Sequence, residues 1–202
     1  MANEGLWEQL EKLDCQQTAR RADCKYLNEV NQYILKMLNI DYTVDLSDRN
    51  IFLNNSGSSF IKVKYLEELC ILSYLINAKE LPLSNKLVNA EALPGGQFFF
   101  RGHHKLPVEK LEMKFGDCPE DLYKVSDQFN AKKIDYGDAS ISLFVLPRIP
   151  LTIIIWGKCT EFEARASILF DQTVSYQMPL DALLVAVNLT VESLTHQKVS
   201  KS

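Results

Sequence analysis

The spacing of apolar residues along the chain predicts helices near its beginning and at its centre. Leu6, Trp7, Leu10 and Leu13 recur at helical spacing, which predicts an amphipathic helix, and a second short helix is expected around residues 18–23. Residues 66–76 are crowded with apolar side chains and carry few charges. They predict a helix that is buried on much of its circumference, and this is the expected central core helix.

Other segments show the patterns of strands. Residues 42–46 alternate apolar and polar side chains, residues 47–50 have the composition of a turn, and residues 51–53 are apolar again, which predicts a β-hairpin. Residues 34–38 fit either a helix or a buried strand. A polar stretch over residues 54–59 is expected to be a loop. In the C-terminal third, residues 140–146, 151–156 and 167–171 predict three strands.

Prolines mark where three further helices are expected to begin. Pro107 precedes a helix over residues 108–115 that stops at Gly116, and Pro119 precedes one that runs to about Asn130. Pro179 precedes the last helix, whose apolar stripe between residues 183 and 194 is expected to pack on the sheet.

These elements indicate the fold class. Strands joined mostly by hairpins, with helices at the N-terminus, the centre and the C-terminus, are typical of an α+β fold with a mostly antiparallel sheet. We expect one compact domain over residues 1–202, in which residues 1–60 form the N-terminal helices and hairpin. Residues 61–78 are then the core helix, and residues 93–197 form a further α+β part that carries the motifs described below.

Composition excludes several classes of protein. The formal net charge is -4 and the pI is about 5.5, whereas proteins that bind a nucleic-acid backbone normally present a basic face. The N-terminus lacks the pattern of an export signal, and the apolar run over residues 151–156 is far shorter than the roughly 20 residues of a membrane helix. The sequence therefore predicts a cytoplasmic protein with no membrane or nucleic-acid partner.

The five cysteines do not form a recognisable pattern. They are odd in number and scattered, with no Cys-x-x-Cys pair, which fits neither a disulfide framework nor a zinc or iron–sulfur site. We expect free thiols and assign no metal site from the sequence.

One stretch places three aromatic residues, 98–100, directly before four side chains that are cationic or can become so, at positions 101 and 103–105. We expect the triplet to lie in a strand. Arg101 follows it, and Arg148 lies between two prolines in a stiff turn, so two fixed guanidiniums could grip an acidic ligand. Alternatively, each arginine pairs internally with a carboxylate of Asp138, Glu161 or Asp171.

Several short motifs resemble those of an uncharacterised prokaryotic family. They are Leu93-Pro94-Gly95-Gly96 leading to Phe100-Arg101-Gly102-x-His104, then Phe115-Gly116, Tyr136-Gly137-Asp138, Leu146-Pro147-Arg148-Ile149-Pro150-Leu151, Trp156 followed by Glu161-Phe162, and Ile168-Leu169-Phe170-Asp171.

The family that these motifs resemble is a domain of unknown function, common in strict anaerobes and acetogens. The resemblance covers most of the chain and is strongest from about residue 93 to the end. It implies a context in corrinoid-linked one-carbon metabolism, because some relatives are joined to a four-cysteine iron–sulfur domain. This chain differs from the family pattern at Cys159-Thr160 and at Pro179-Leu180-Asp181-Ala182, where relatives often carry acidic residues.

His104 belongs to this motif pattern and His103 does not, which makes His104 the candidate functional histidine. It could serve as an axial ligand of a tetrapyrrole in a pocket lined by the aromatic triplet and Trp156. It could also act as a base oriented by Asp138, or lie on a loop with no function. The carboxylates of Asp138, Glu161 and Asp171, all near strand ends, could hold a hard cation or neutralise the two arginines.

The preferred hypothesis is a protein that binds a small molecule or cofactor, with a corrinoid or another acidic tetrapyrrole as a candidate. Its candidate ligand-binding residues are Phe100, Arg101, His104, Asp138, Arg148, Trp156, Glu161 and Asp171. Two alternatives stay open: a metal-assisted or histidine-dependent hydrolase or lyase, and a module that docks on an iron–sulfur or methyl-transfer partner. The sequence assigns no catalytic residue, so it does not decide whether the protein is an enzyme.

Overall fold

The computed structural model describes residues 3–53 and 61–197, and the loop expected at residues 54–59 lies outside the described residues. The helices are α1 (Glu4–Glu11), α2 (Cys15–Ala22), α3 (Tyr65–Asn77), α4 (Gly96–Phe99), α5 (Val108–Phe115), α6 (Asp121–Ser126) and α7 (Leu180–Thr195). The strands are β1 (Lys25–Leu27), β2 (Gln32–Met37), β3 (Ile40–Asp45), β4 (Asn50–Leu53), β5 (Ile61–Lys62), β6 (Leu87–Val88), β7 (Lys132–Lys133), β8 (Ala139–Leu146), β9 (Ile149–Trp156) and β10 (Arg165–Asp171).

The strands form two antiparallel sheets. The first has the order β1-β2-β3-β4-β5 and the second the order β6-β10-β9-β8-β7. The predicted α+β class is therefore confirmed, with helices at both ends and at the centre. The ambiguous segment around residues 34–38 is strand β2 and the turn after it, because Tyr33, Leu35 and Met37 are buried at alternate positions.

Helix α3 is the central core helix, as predicted. Residues 70–75 are all buried, and the helix packs against α1, α2 and α7. The first sheet lies on these helices: Tyr33 contacts the region of Cys15 and Thr18 in α2, and Tyr42 lies beside Glu67 and Cys70 in α3. The second sheet packs against α5, α6 and α7.

The two sheets meet at a β-bulge in the second one. The pairing of β8 with β9 shifts register between Phe144 and Leu146, which leaves Val145 without a partner on β9. The Val145 carbonyl instead accepts a hydrogen bond of 2.9 Å from the Leu38 amide in the turn between β2 and β3. Asn39 in the same turn donates its side-chain amide to the Gln128 carbonyl at 2.9 Å.

This turn is formed by two residues in the left-handed region, Leu38 at φ 48° and Asn39 at φ 63°. A two-residue turn in which both residues have positive φ is a favoured connection between two adjacent antiparallel strands. Asparagine tolerates this conformation, whereas leucine pays roughly 1–2 kcal/mol for it. Leu38 is only 6% exposed and belongs to the hydrophobic core, so the burial of its side chain offsets that cost.

The junction can be tested with Leu38→Ala. Alanine keeps the left-handed backbone strain but removes the buried side chain, so we expect the free energy of unfolding to fall by about 2–4 kcal/mol. Urea denaturation measures the change. Leu27→Ala is the matched control, because Leu27 is 43% exposed on β1, and we expect it to change stability by less than about 1 kcal/mol. Equal effects of the two substitutions would contradict the proposed importance of the junction.

Candidate functional site

The aromatic triplet does not form the predicted strand. Phe98 and Phe99 lie in the single helical turn α4, and residues 102–104 form a 3₁₀ turn. Three consecutive aromatic residues have high β propensity, but Gly95 at φ 77° starts a tight turn, and Phe100 is then drawn into the core, where its ring lies 6.5 Å from that of Phe170. Tertiary packing of Phe100 therefore overrides the local preference.

Arg101 and His104 lie on the exposed side of this segment. The Arg101 guanidinium is 6.0 Å from the centre of the Phe98 ring, and Phe98 itself is 74% exposed. The His104 ring stacks flat on Phe99, with centroids 4.6 Å apart and planes within 9°. Both polar side chains therefore rest on aromatic neighbours at the surface, and among the described residues neither forms an ion pair.

Trp156, Asp138 and Glu161 lie near the end of β9. Trp156 is the last residue of the strand, and the Asp138 carboxylate accepts a hydrogen bond of 2.7 Å from the Gly157 amide. Gly137, at φ 57°, is needed before Asp138, because a β-carbon there would lie 2.8 Å from both the Ile155 carbonyl oxygen and the side chain of Ile154. Glu161 is exposed in the loop that follows β9.

Arg148 lies at the other end of the same strand. It precedes the first residue of β9, and Trp156 is the last of its eight residues; at ~3.3 Å per residue the two are ~26 Å apart. The Arg148 Nε donates to the Arg21 carbonyl at 2.6 Å, and one Nη donates to the Arg20 carbonyl at 3.4 Å. Arg148 therefore caps the C-terminal end of α2, where a cation is favoured by the helix dipole.

The structure does not show the alternative arrangement, in which each arginine pairs with one of three carboxylates. Within the described chain, neither Arg101 nor Arg148 forms an ion pair with Asp138, Glu161 or Asp171. Arg148 instead binds carbonyl oxygens, which carry only partial charges and therefore offset only part of its positive charge.

Asp171 is held entirely by neutral donors. One carboxylate oxygen accepts hydrogen bonds from the amides and hydroxyls of Ser84 and Thr173 at 2.6–3.1 Å, and the other accepts from the Asn85 amide at 2.7 Å. Burial alone raises the pKa of the Asp171 carboxyl, but the bonds from Thr173 and Ser84 outweigh burial and hold this pKa below its usual value. Asp171 thus ties the segment before β6 to the end of β10.

The eight predicted residues consequently lie in separate parts of the molecule. Phe100, Arg101 and His104 belong to the segment that covers β10, Trp156, Asp138 and Glu161 lie near one end of the second sheet, and Arg148 and Asp171 lie near the other. Antiparallel strands place residues that follow and precede a strand at opposite ends of the sheet. The short motifs follow one another along the chain, but the antiparallel pairing places them at different ends of the sheet.

Three other basic side chains, which the sequence analysis did not select, lie around one cleft. An open cleft of about 670 Å³ lies between α2 and the segment after α3, and its lining includes Arg20, Arg21, Lys79 and Glu80. Arg148 does not line this cleft, but its guanidinium donates to the backbone carbonyls of Arg20 and Arg21. The adjacent arginines near the end of α2 were the available signal, but Lys79 is distant in sequence and only the packing of α2 on α3 brings it near.

The cations of the cleft are held in different ways. Arg20 forms an exposed ion pair with Glu80 at 2.7 Å. Arg21 donates to the Ala78 carbonyl at 2.9 Å and to the Thr18 hydroxyl at 3.2 Å, so it caps the C-terminal end of α3. The Lys79 ammonium lies 5.7 Å from the centre of the Tyr176 ring. Within the described chain, neither Arg21 nor Lys79 is paired with a carboxylate.

Two polar donors beside the cleft have no partner among the described residues. They are the Arg21 Nε and the side-chain amide nitrogen of Gln177, both shielded from solvent. Gln177 is fully buried and accepts a hydrogen bond of 2.9 Å from the Lys79 amide through its oxygen. Both unpartnered groups can only donate a hydrogen bond, and both lie in the interior next to residues that line the cleft.

Within residues 3–53 and 61–197, no group of three or more His, Cys, Asp and Glu side chains is arranged to hold a metal ion. Over the same residues, every helix is too short or too polar to cross a lipid bilayer. The five cysteines are free, with Cys118 and Cys159 exposed.

The fold and the cleft together define an α+β domain with two antiparallel sheets and a basic cleft beside its N-terminal helices. The chain belongs to the family described as domain of unknown function (DUF3786), whose model matches residues 14–193. The matched range includes all residues of the cleft and all eight predicted site residues. No curated protein and no solved structure gave a significant match. The expected membership in a family of unknown function is confirmed, while the link to anaerobes and to iron–sulfur domains stays a prediction.

The capping role of Arg148 can be tested with Arg148→Met. The substitution keeps much of the apolar stem but leaves the Arg20 and Arg21 carbonyls without this partner, so we expect a loss of about 1–3 kcal/mol in the free energy of unfolding. Arg101→Met is the control, because Arg101 is exposed and its guanidinium bonds no carbonyl of the described residues, and it should change stability by less than about 0.5 kcal/mol. Chemical denaturation compares the two, and an unchanged Arg148→Met protein would exclude the cap.

The hydrogen-bonded carboxylate of Asp171 predicts a dependence of stability on pH. Its folded pKa lies below the unfolded value of about 3.9, so its contribution is present above about pH 4 and is lost as the pH falls through the folded pKa. Asp171→Asn should cost roughly 1–3 kcal/mol at pH 7, because the amide replaces an acceptor by a donor. Urea unfolding at pH 7, 5 and 3 should show the difference from wild type shrinking only toward the lowest pH. A difference that is the same at all three values would contradict this role.

Proposed function

We propose that this protein binds a small anionic ligand in the cleft between α2 and the segment after α3. The observation that carries the proposal is the concentration of Arg20, Arg21 and Lys79 around one concave surface, with Glu80 as the one carboxylate among its lining residues. The chain as a whole has a net charge of -4, so this local excess of positive charge runs against the overall balance. A cleft lined by one sign of charge concentrates ligands of the opposite sign.

The state of each cation supports an anion as the ligand. Glu80 offsets only Arg20, and this pair is 76% and 50% exposed in its two side chains, so it contributes little and is easily exchanged for another anion. Arg21 and Arg148 bind carbonyl oxygens, which offset only part of their charge. The cleft volume of about 670 Å³ is within the usual range for small-molecule sites.

A corrinoid or another acidic tetrapyrrole is a specific version of this ligand class. Its acidic groups would contact Arg101, and His104 in the same segment would be the axial ligand. The exposed position of His104 makes it accessible to such a ligand, and its stacking on Phe99 fixes the direction of the ring. In the anaerobic one-carbon metabolism that the sequence motifs imply, such a ligand would connect the protein to an iron–sulfur or corrinoid protein.

Binding is favoured over catalysis by the geometry around His104. A catalytic histidine needs a carboxylate or another group that orients it, and among the described residues His104 has no hydrogen bond to Asp138, Glu161 or Asp171. Docking on a protein partner is the second candidate, because Phe98 is 74% exposed beside Arg101, and exposed aromatic and arginine side chains often anchor protein interfaces.

The test is isothermal titration calorimetry with pyrophosphate and citrate at low salt. We expect both anions to bind, and the double variant Arg20→Gln/Lys79→Gln to bind at least about tenfold more weakly, because charge-assisted hydrogen bonds contribute about 1.5–3 kcal/mol. Arg101→Gln/Lys105→Gln is the matched control, since it removes the same charge from another exposed segment. The absence of anion binding, or equal losses in the two double variants, would refute the proposal.

The tetrapyrrole version has a separate readout. Addition of cobalamin or haem should shift the visible spectrum of the ligand if His104 becomes its axial ligand, and His104→Ala should abolish the shift. His103→Ala is the control, because it removes a neighbouring exposed imidazole. A shift that survives in His104→Ala would exclude His104 as the ligand, and no shift in the wild type would exclude this version.

A further inference from the structure

A second cleft lies at the junction of the two sheets and shares no lining residue with the basic cleft. It has a volume of about 330 Å³ and is bounded by the turn between β2 and β3, the end of α2, the 3₁₀ turn before β7 and the β8–β9 hairpin. The hydrogen bonds from Leu38 to Val145 and from Asn39 to Gln128 hold its walls together. Because these bonds belong to the junction itself, the cleft is preformed.

The lining of this cleft includes an apolar surface. Phe129, Phe144, Leu146 and Pro147 all contribute to it. Phe129 and Leu146 are almost fully buried, whereas Phe144 is 44% exposed. A ligand that covers a partly exposed aromatic ring in a concave surface gains binding free energy, because removing apolar area from water is favourable.

The polar part of the lining carries one acid and one base. Asp23 ends α2 at φ 51°, and its carboxylate forms no hydrogen bond or ion pair within the described chain. Lys36 projects from β2 and pairs with Asp41 at 3.1 Å, with about half of each side chain exposed. Such an exposed pair is weak, so the Lys36 ammonium remains available to a ligand.

The balance of charge continues into the adjoining groove. That groove shares Asp23 and Lys36 with the cleft and adds Lys25 and Asp41, which again are one base and one acid. A purely anionic ligand would meet two carboxylates here, and a purely cationic ligand would meet two ammonium groups. A molecule with both charges close together satisfies both signs at once.

We propose that the cleft at the sheet junction binds a small zwitterion with an apolar side chain, of the class of the apolar α-amino acids. The ammonium of the ligand lies against the Asp23 carboxylate, its carboxylate against the Lys36 ammonium, and its side chain covers Phe144 and the neighbouring apolar surface. The cleft volume, near the lower end of the usual range for ligand sites, suits a molecule of this size. The inference rests on residues that the anion-binding proposal does not use.

The test is calorimetric titration with three probes of similar shape. L-phenylalanine carries both charges, L-phenylalaninamide lacks the carboxylate, and 3-phenylpropionate lacks the ammonium. We expect L-phenylalanine to bind at least about tenfold more tightly than either analogue, because each analogue leaves one charged group of the site without a partner. No binding of L-phenylalanine at millimolar concentration, or equal binding of the three probes, would overturn the proposal.

Two polar variants assign the charges. Asp23→Asn, which suits the left-handed position because asparagine adopts it readily, should weaken L-phenylalanine about tenfold and leave 3-phenylpropionate unchanged. Lys36→Gln should weaken L-phenylalanine to a similar degree and leave the amide unchanged. The same loss for every probe in both variants would overturn the assignment of the two charges.

Two apolar variants test the surface. Phe144→Ser should weaken all three probes, while Phe162→Ser should weaken none, because Phe162 is 69% exposed in the loop after β9. Equal effects of these two changes would overturn the role of Phe144. The Arg20→Gln/Lys79→Gln variant should retain L-phenylalanine binding, so failure of the anion site and failure of this site are distinguishable.

Discussion

The hydrogen bond from the Leu38 amide to the Val145 carbonyl is the contact on which the arrangement of the two sheets depends. It exists because the bulge in β8 releases Val145 from its pairing with β9, and because two left-handed residues aim the opposing turn at it. The hairpin that follows the bulge carries Arg148 to the end of α2. One local irregularity therefore positions both the junction cleft and the Arg148 guanidinium at the end of α2.

The basic cleft follows from the way in which two helices end. Arg148 caps α2 and Arg21 caps α3, in each case through carbonyl oxygens. A helix end carries about half of a negative charge, so a full positive charge placed there is only partly offset. The same groups that stabilise the helix ends thus leave positive potential at the surface, whereas the junction cleft, with Asp23 opposite Lys36, has balanced charge.

Particular residues show where the sequence interpretation succeeded. The core helix, the hairpin of β3 and β4, and strands β8 to β10 follow from apolar periodicity, which directly reflects which side chains are buried. The aromatic triplet misled this reasoning, because the packing of Phe100 on Phe170 outweighs β propensity. The residues of the predicted site lie in separate parts of the molecule, since residues that flank an antiparallel strand lie at its two ends. Arg20, Arg21 and Lys79 were missed for the related reason that their proximity depends on helix packing.

The sequence by itself determined the α+β class, most of the helices and strands, and the family, because local periodicity and short motifs are properties of the chain in order. Only the tertiary structure decided which charges are neutralised and which side chains share a cleft. Those properties depend on distances between residues far apart in the chain, and no periodicity encodes whether Arg148 meets a carboxylate or the carbonyls at the end of α2.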